Sequence, residues 1–416
     1  MAEAPPTETP GRGGIIATLR VPYFGAFWVA SLFYFIVFGT QTFAFAWLVL
    51  ELSDSAAQSA FVVFSLGIPA LFVALPAGVL FDRVDRRAMI MLATAAAAIV
   101  MLVMALVIAA GAMTVPLAVL FALAVGVAFG ANLPLLQAVV PALVPPERLL
   151  SAVSLQTMAM TTGLALGAAV GGLVIDQVGI AEVFFMQAGL LFLSAVLMLR
   201  VRIPRPPAEA TERPLDMRRE IADGVRFIMR DRGLLGLMGL STVVGLLMLG
   251  PVFALIPDIA RSKLGQGADT AGLLFAFTSL GAFSISLGLA AIGQLRRMGL
   301  VFTVATVTGG FFLIGMGLSD VYLLTALMMF GWGLGGGFIR NTNRTLIQSR
   351  TPPAMMGRMM AFYALGLGAA RPLGSLLAAG LAVWLGSDGA LVLSGLVLVV
   401  ITTLFLLTQR ELREME

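Results

Sequence analysis

The ionisable residues of this chain divide into one arginine deep in an apolar run and a set of acids at the ends of such runs. Arg371 stands about 13 residues into the run 358–384, roughly 20 Å along a helix rising about 1.5 Å per residue. Glu51, Asp54, Asp82, Asp85, Glu147, Asp176, Glu182, Asp258, Asp269, Asp320 and Asp388 all fall at run ends or between runs. The chain has no cysteine and no histidine, so disulfides, thiolate sites and the usual transition-metal ligands are missing. No nucleophile–base–acid set, nucleotide loop or metal cluster appears, and therefore no enzyme activity, metal or cofactor is expected. The chemistry left is recognition of charge. A guanidinium at that depth needs a partner: an anionic substrate group, an acid such as Asp258, or backbone carbonyls opened near Pro372.

The elements that must position Arg371 follow from composition. Of 416 residues 59% are hydrophobic and 12% charged, against roughly 25% charged in an ordinary soluble protein. Apolar runs long enough to cross a bilayer as helices, about 20 residues each, lie near 23–50, 58–81, 88–111, 115–143, 149–177, 180–199, 233–260, 270–292, 298–318, 320–345, 358–384 and 388–408. The expected class is an all-α polytopic membrane protein. Arg83, Arg86 and Arg87, Arg148, Arg296 and Arg297, and Arg344, Arg350 and Arg358 gather on one side of such a topology. Only Arg261 and Lys263 fall on the other. Basic residues mark cytoplasmic loops, so a cytoplasmic-membrane location with both termini inside is expected. The net charge of +4 then needs no nucleic-acid partner.

The polar stretch 200–232 divides the chain. Its first part holds Pro204, Pro206, Pro207 and Pro214 and reads as irregular linker. From Leu215 to Met229 the apolar residues fall near one helical stripe, as in a helix lying at a membrane surface. The expected organisation is a cytoplasmic N-terminal tail (1–22), a six-helix bundle (23–199), the linker (200–232), a second bundle (233–409) and a short tail (410–416). PALVPPERLLSA (141–152) and QSRTPPAMMGRMMA (348–361) each carry a Pro-Pro turn, an arginine and a fresh helix, and GQLRRMG (293–299) echoes GVLFDRV. Repeated halves of this kind place a substrate site at their interface.

The stretch GVLFDRVDRRAMI (78–90) resembles the loop 2–3 signature of the major facilitator superfamily, roughly G-x-L-x-D-R-x-G-R-R. Gly78, Leu80, Asp82, Arg83, Arg86 and Arg87 match, while Asp85 stands where most members have glycine. Aspartate there is similar to the branch of drug and siderophore exporters of the enterobactin-exporter and macrolide-exporter type, as is the stretch 343–374. The resemblance implies twelve transmembrane helices in two pseudo-symmetric six-helix bundles, working by alternating access. It also implies a latch: Asp82 would accept hydrogen bonds at the start of segment 11, near Arg358, only when the halves close on the cytoplasmic side. The plain alternative is that the arginines fix topology and Asp82 offsets them.

GLALGAAVGG (163–172) resembles a segment-5 pattern of drug antiporters, with Ala168 in place of its proline; glycines four apart also serve close packing alone. Proton coupling needs a titratable group in the membrane, and only Asp258 and Asp176, near outer helix ends, are candidates. Family geometry makes Gln41, Asn132, Gln137, Gln156, Arg340, Asn341, Asn343, Tyr363 and Arg371 the substrate-cavity candidates. Phe27, Trp28, Phe33, Tyr34, Phe38 and Phe43 would supply aromatic walls, with 23 methionines as adaptable surface. Walls of this kind suit an amphipathic small molecule better than a sugar.

The resulting expectation is a monomeric secondary transporter in the lipid bilayer that exports a drug- or siderophore-like amphiphile, with protons as one possible counter-ion. The alternatives are an uncoupled facilitator of a lipid-like or anionic solute, and a non-transporting sensor or scaffold with the same fold. If the latch operates, Asp82→Asn shifts the population towards the inward-open state. Single cysteines added to this cysteine-free chain report it as altered labelling, and unchanged accessibility rules the latch out.

Overall fold

The computed structural model describes residues 14–81, 85–145, 148–203, 217–292, 297–351, 356–409 and 411. A short α1 (Gly14–Leu19) precedes α2 (Phe24–Ser53), α3 (Ala56–Phe81), α4 (Arg86–Ala109), α5 (Val115–Leu143), α6 (Leu149–Gln177) and α7 (Ile180–Met198). The linker helix α8 (Met217–Arg230) leads into α9 (Arg232–Val244) and α10 (Gly250–Asp258), which form one span interrupted by a π turn at Gly245–Leu249 and followed by another at Ile259–Lys263. α11 (Ala268–Ile292), α12 (Met298–Leu318), α13 (Tyr322–Arg350) and α14 (Met356–Thr408) complete the chain. Among the described residues, 11 helices are long and apolar enough to cross a membrane. The last contains Gly386 at φ 72°, a backbone state only glycine adopts freely, so α14 turns there into two crossings.

Helices are the form these runs must take, because lipid offers backbone N–H and C=O groups no partners. Their ends are set by polar residues. Asp85 caps α4, its carboxylate accepting from the backbone N–H of Arg87 (2.9 Å) and Ala88 (3.2 Å). Asp231 caps α9 by accepting from Leu234 N–H at 3.0 Å. The aspartate that departs from the loop 2–3 signature is thus a helix cap.

Within the first half α2 packs on α6 and α7, and α3 and α4 on α5; within the second α11 packs on α13, and α12 on α13 and α14. The halves meet through two equivalent pairs, α6 with α11 and α3 with α14. Both ends of the bundle's path lie on one face, called here the termini face, and the opposite one is the far face. Helix α8 rests on the start of α14, where Gly224 faces the Phe362 ring and Ile228 is buried.

Small residues set the spacing. The glycines of 163–172 serve packing: a Cβ on Gly167 would fall 2.1 Å from the Ile36 carbonyl oxygen, and one on Gly172 2.3 Å from that of Ala268 in the other half. Thr40 Oγ1 donates to Gly167 O at 2.7 Å, closing the same seam. Overpacking at such a contact costs about 3 kcal/mol. Gly167→Leu therefore lowers the melting temperature of the purified protein sharply, whereas Gly380→Ala, at a position with nothing within 4 Å of the added carbon, leaves it unchanged. Equal melting of both variants contradicts this packing.

Candidate functional site

Between the halves at mid-depth lies a cavity of about 260 Å³, walled by α2, α6, α9–α10, α11, α13 and α14. Its roof, towards the far face, is aromatic. Phe43 of the first half stands 5.9 Å from Phe275 of the second, and Phe275 stacks on Phe253 at 5.5 Å. Towards the termini face the lining continues to Arg340, which is exposed.

Arg371 points into this space. Its guanidinium lies 4.1 Å from the centroid of the Phe253 ring, and Nη2 donates to Thr42 Oγ1 across the two halves at 3.2 Å. Asp258 is not its partner: its carboxylate accepts from Ser387 Oγ at 2.5 Å, and Ser262 Oγ donates to the Asp258 backbone carbonyl at 2.7 Å. The stack covers a face of the guanidinium and the Thr42 bond uses one arm, so N–H donors remain for a ligand.

The other polar groups of the lining sharpen its chemistry. Trp332 is 3% exposed, and its Nε1–H has no hydrogen-bond partner. Thr161, Thr278 and Ser279 each donate their hydroxyl proton to a backbone carbonyl of their own helix, at 3.0, 3.3 and 3.2 Å. Among the described residues no carboxylate or carboxamide lines the cavity. What it offers a ligand is aromatic surface and two cations.

The remaining sequence candidates have other placements. Gln41 is buried on the α2 face that carries Phe45, whose ring packs edge-on against Phe184 of α7. Asn132 donates to Thr94 Oγ1 at 2.7 Å and Asn343 to Ser241 Oγ at 2.5 Å, each joining neighbouring helices. Asn341 donates to Ser286 Oγ and to Gly337 O. Gln156 is buried in α6 with neither end of its carboxamide bonded, and Tyr363 is half-buried in α14 outside the lining. Of the expected aromatic walls only Phe38 and Phe43 line the cavity. Trp28 instead donates to Leu155 O at 2.8 Å, and Tyr34 stacks on Phe129 at 4.9 Å. Gln137 and Gly78 belong to α5 and α3 and Arg358 to α14, with their surroundings outside the described residues, as are Asp82 and Arg83 altogether. Arg87 caps the end of α7, donating to Met198 O at 3.1 Å and Leu199 O at 2.5 Å within its own half.

The far face is sealed by groups the sequence reading left unused. Arg261, after α10, donates to Leu50 O at 2.6 Å and pairs with Asp54 at 2.9 Å, tying the end of the α9–α10 span to the end of α2. Lys263 bonds Gly317 O at 2.6 Å and pairs with Asp320 at 3.2 Å, holding the second half's own loops. The one-sided arginine count had already singled out Arg261 and Lys263 as exceptions. Asp176 is exposed at the same face, beside Gly267.

Comparison with known proteins matches residues 27–375 to the family model of the Major Facilitator Superfamily. The enterobactin exporter EntS of Shigella boydii serotype 18 is 30% identical over 351 residues, covering 83% of this chain and 82% of its own. EntS of Citrobacter koseri is 30% identical over 353 residues with the same coverage. Among solved structures, the nucleoside transporter NupG aligns with a TM-score of 0.73 at 15% identity over 93% of this chain and 99% of its own. A bacterial homolog of the human lysosomal transporter Spinster aligns with 0.73 at 15% identity over 97% and 99%. At that identity the likeness shows the fold.

Because Asp54 is largely exposed, its pair with Arg261 contributes only about 1 kcal/mol. Arg261→Gln accordingly raises labelling of Ser279→Cys by an impermeant thiol reagent from the far face by about fivefold. Labelling that stays at the wild-type rate removes this pair from the seal.

Proposed function

The chain belongs to the major facilitator superfamily, and we propose that this multi-pass membrane transporter exports an anionic amphiphile of siderophore- or drug-like character by alternating access. The observation that carries the reading is Arg371, a cation at mid-depth with free donors in a cavity that offers no acid to neutralise it. An anionic group of the ligand would take the place of Thr42 on the guanidinium, and its aromatic part would lie against Phe253, Phe275 and Phe43. The exporter relatives support the direction of transport. The arginine-rich termini face is read as cytoplasmic and the membrane as the inner one.

Alternation requires the far-face seal to open as the termini face closes, which is where the Asp82 latch would act. Proton antiport would have to use Asp258 or Asp176. Both sit at the far face rather than in the cavity, so a proton there would bias closure and not displace the ligand.

The test is thermal stabilisation of the purified protein by anionic, zwitterionic and cationic amphiphiles, with wild type and Arg371→Gln compared. Anionic aromatics raise the wild-type melting temperature, and the variant loses at least about tenfold in apparent affinity, the equivalent of about 1.4 kcal/mol. Stabilisation by cations that survives in Arg371→Gln overturns the reading.

A further inference from the structure

We infer that export is driven by the membrane potential acting on the fixed charge of Arg371, without a coupled proton. The inference rests on the reading above, that Arg371 holds an anionic group of the substrate. It begins with the charges that face Arg371. Its helix α14 packs on α3, α12 and the α9–α10 span. Between their ends α3 and α12 contain no ionisable side chain at all. The α9–α10 span contributes Asp258, which is engaged by Ser387 and Ser262 at the far face. Across the cavity α2 carries Glu51, which accepts from Trp47 Nε1 at 2.7 Å near that same face, and the phenol of Tyr34, stacked on Phe129 away from the lining; α6 carries Asp176, exposed at its far-face end, and α11 Asp269 at its far-face start. α13 brings arginines towards the termini face. Among the described residues no carboxylate lines the cavity to gain and lose a proton as the carrier turns over, and a guanidinium keeps its charge throughout.

A fixed cavity charge couples to voltage because the seal decides where the field falls. With Phe43, Phe253 and Phe275 closing the far side and Arg261 bound to Leu50 and Asp54 beyond them, the cavity is joined to the termini face and the potential drops across the roof. If the termini face is the negative side, the empty carrier with its uncompensated Arg371 is held in the state seen here. A monovalent anion cancels the charge, so the loaded carrier turns outward without working against the field. The empty return then carries one positive charge inward, with the field. Each cycle exports one net negative charge, and the thermodynamic ceiling is about fifty-fold accumulation per 100 mV.

The experiment uses the purified protein in liposomes with naphthalenesulfonate, an aromatic anion that stays ionised. Its uptake is followed under valinomycin-set potassium diffusion potentials at equal pH, and under a pH gradient with the potential clamped at zero. The expected result is accumulation that follows the potential and is absent under the pH gradient alone, with anion exchange, which uses only the loaded carrier, indifferent to potential in wild type and Arg371→Lys but voltage-dependent in Arg371→Gln. Accumulation driven by the pH gradient, or net flux indifferent to potential, overturns the inference while leaving anion recognition standing. Stabilisation by naphthalenesulfonate without protein-dependent flux does the same. Neither stabilisation nor flux overturns the anion reading and this inference with it.

Discussion

A guanidinium in the middle of a membrane bundle is costly unless it finds a partner or a wet cavity, and Arg371 has arranged its surroundings accordingly. One arm reaches Thr42 across the halves, and a face lies on Phe253. The space beside it remains open. Filling that space with a carboxylate would have made a closed ion pair and no binding site. Leaving it lined by rings and spent hydroxyls makes an unsatisfied charge the strongest attraction any ligand meets on entry.

Close backbone approach is what brings the charge to that point. A Cβ on Gly374 would sit 2.1 Å from the Leu246 carbonyl, and one on Gly67 would collide with the Pro372 ring 2.4 Å away. α14 is thereby pressed against both the α9–α10 span and α3, on either side of Arg371. The π turn at Gly245–Leu249 lies just before Phe253, and such local widening is common where a helix serves a site. Packing without a hydrophobic drive between helices depends on these small residues. Some of these seams lie within one half, as at Gly374 on Leu246, and others, at Gly67 and Gly172, join the two halves, while the far face is tied by polar groups such as the largely exposed pair of Arg261 with Asp54.

Much of this was legible in the sequence, and the limits have physical causes. Run lengths and the one-sided arginines define spans and faces, because the bilayer imposes both. Arg371 stood out because a charge at that depth is rare. The cavity's other members were harder to find. Gln41, Asn132 and Asn343 are polar in apolar runs, but a carboxamide can satisfy itself on a neighbouring helix as readily as on a ligand, and two of these three are bonded in that way. Phe253, Phe275 and Trp332 are aromatic residues among many, and only the register of α9–α10, α11 and α13 turns them inward. Asp85 read as a family deviation, whereas its position one residue before Arg86 is the ordinary signature of a helix cap. The seal at Arg261 was visible only as an exception to the charge bias.

The central claim is that an anion at Arg371 licenses the bundle to open its far face. The most direct measurement is the distance between spin labels at Val178→Cys and Val321→Cys, exposed far-face positions in opposite halves. Naphthalenesulfonate should add a longer-distance population in wild type that is absent in Arg371→Gln. Identical distance distributions with and without the anion, or an equal response in the variant, would contradict the account.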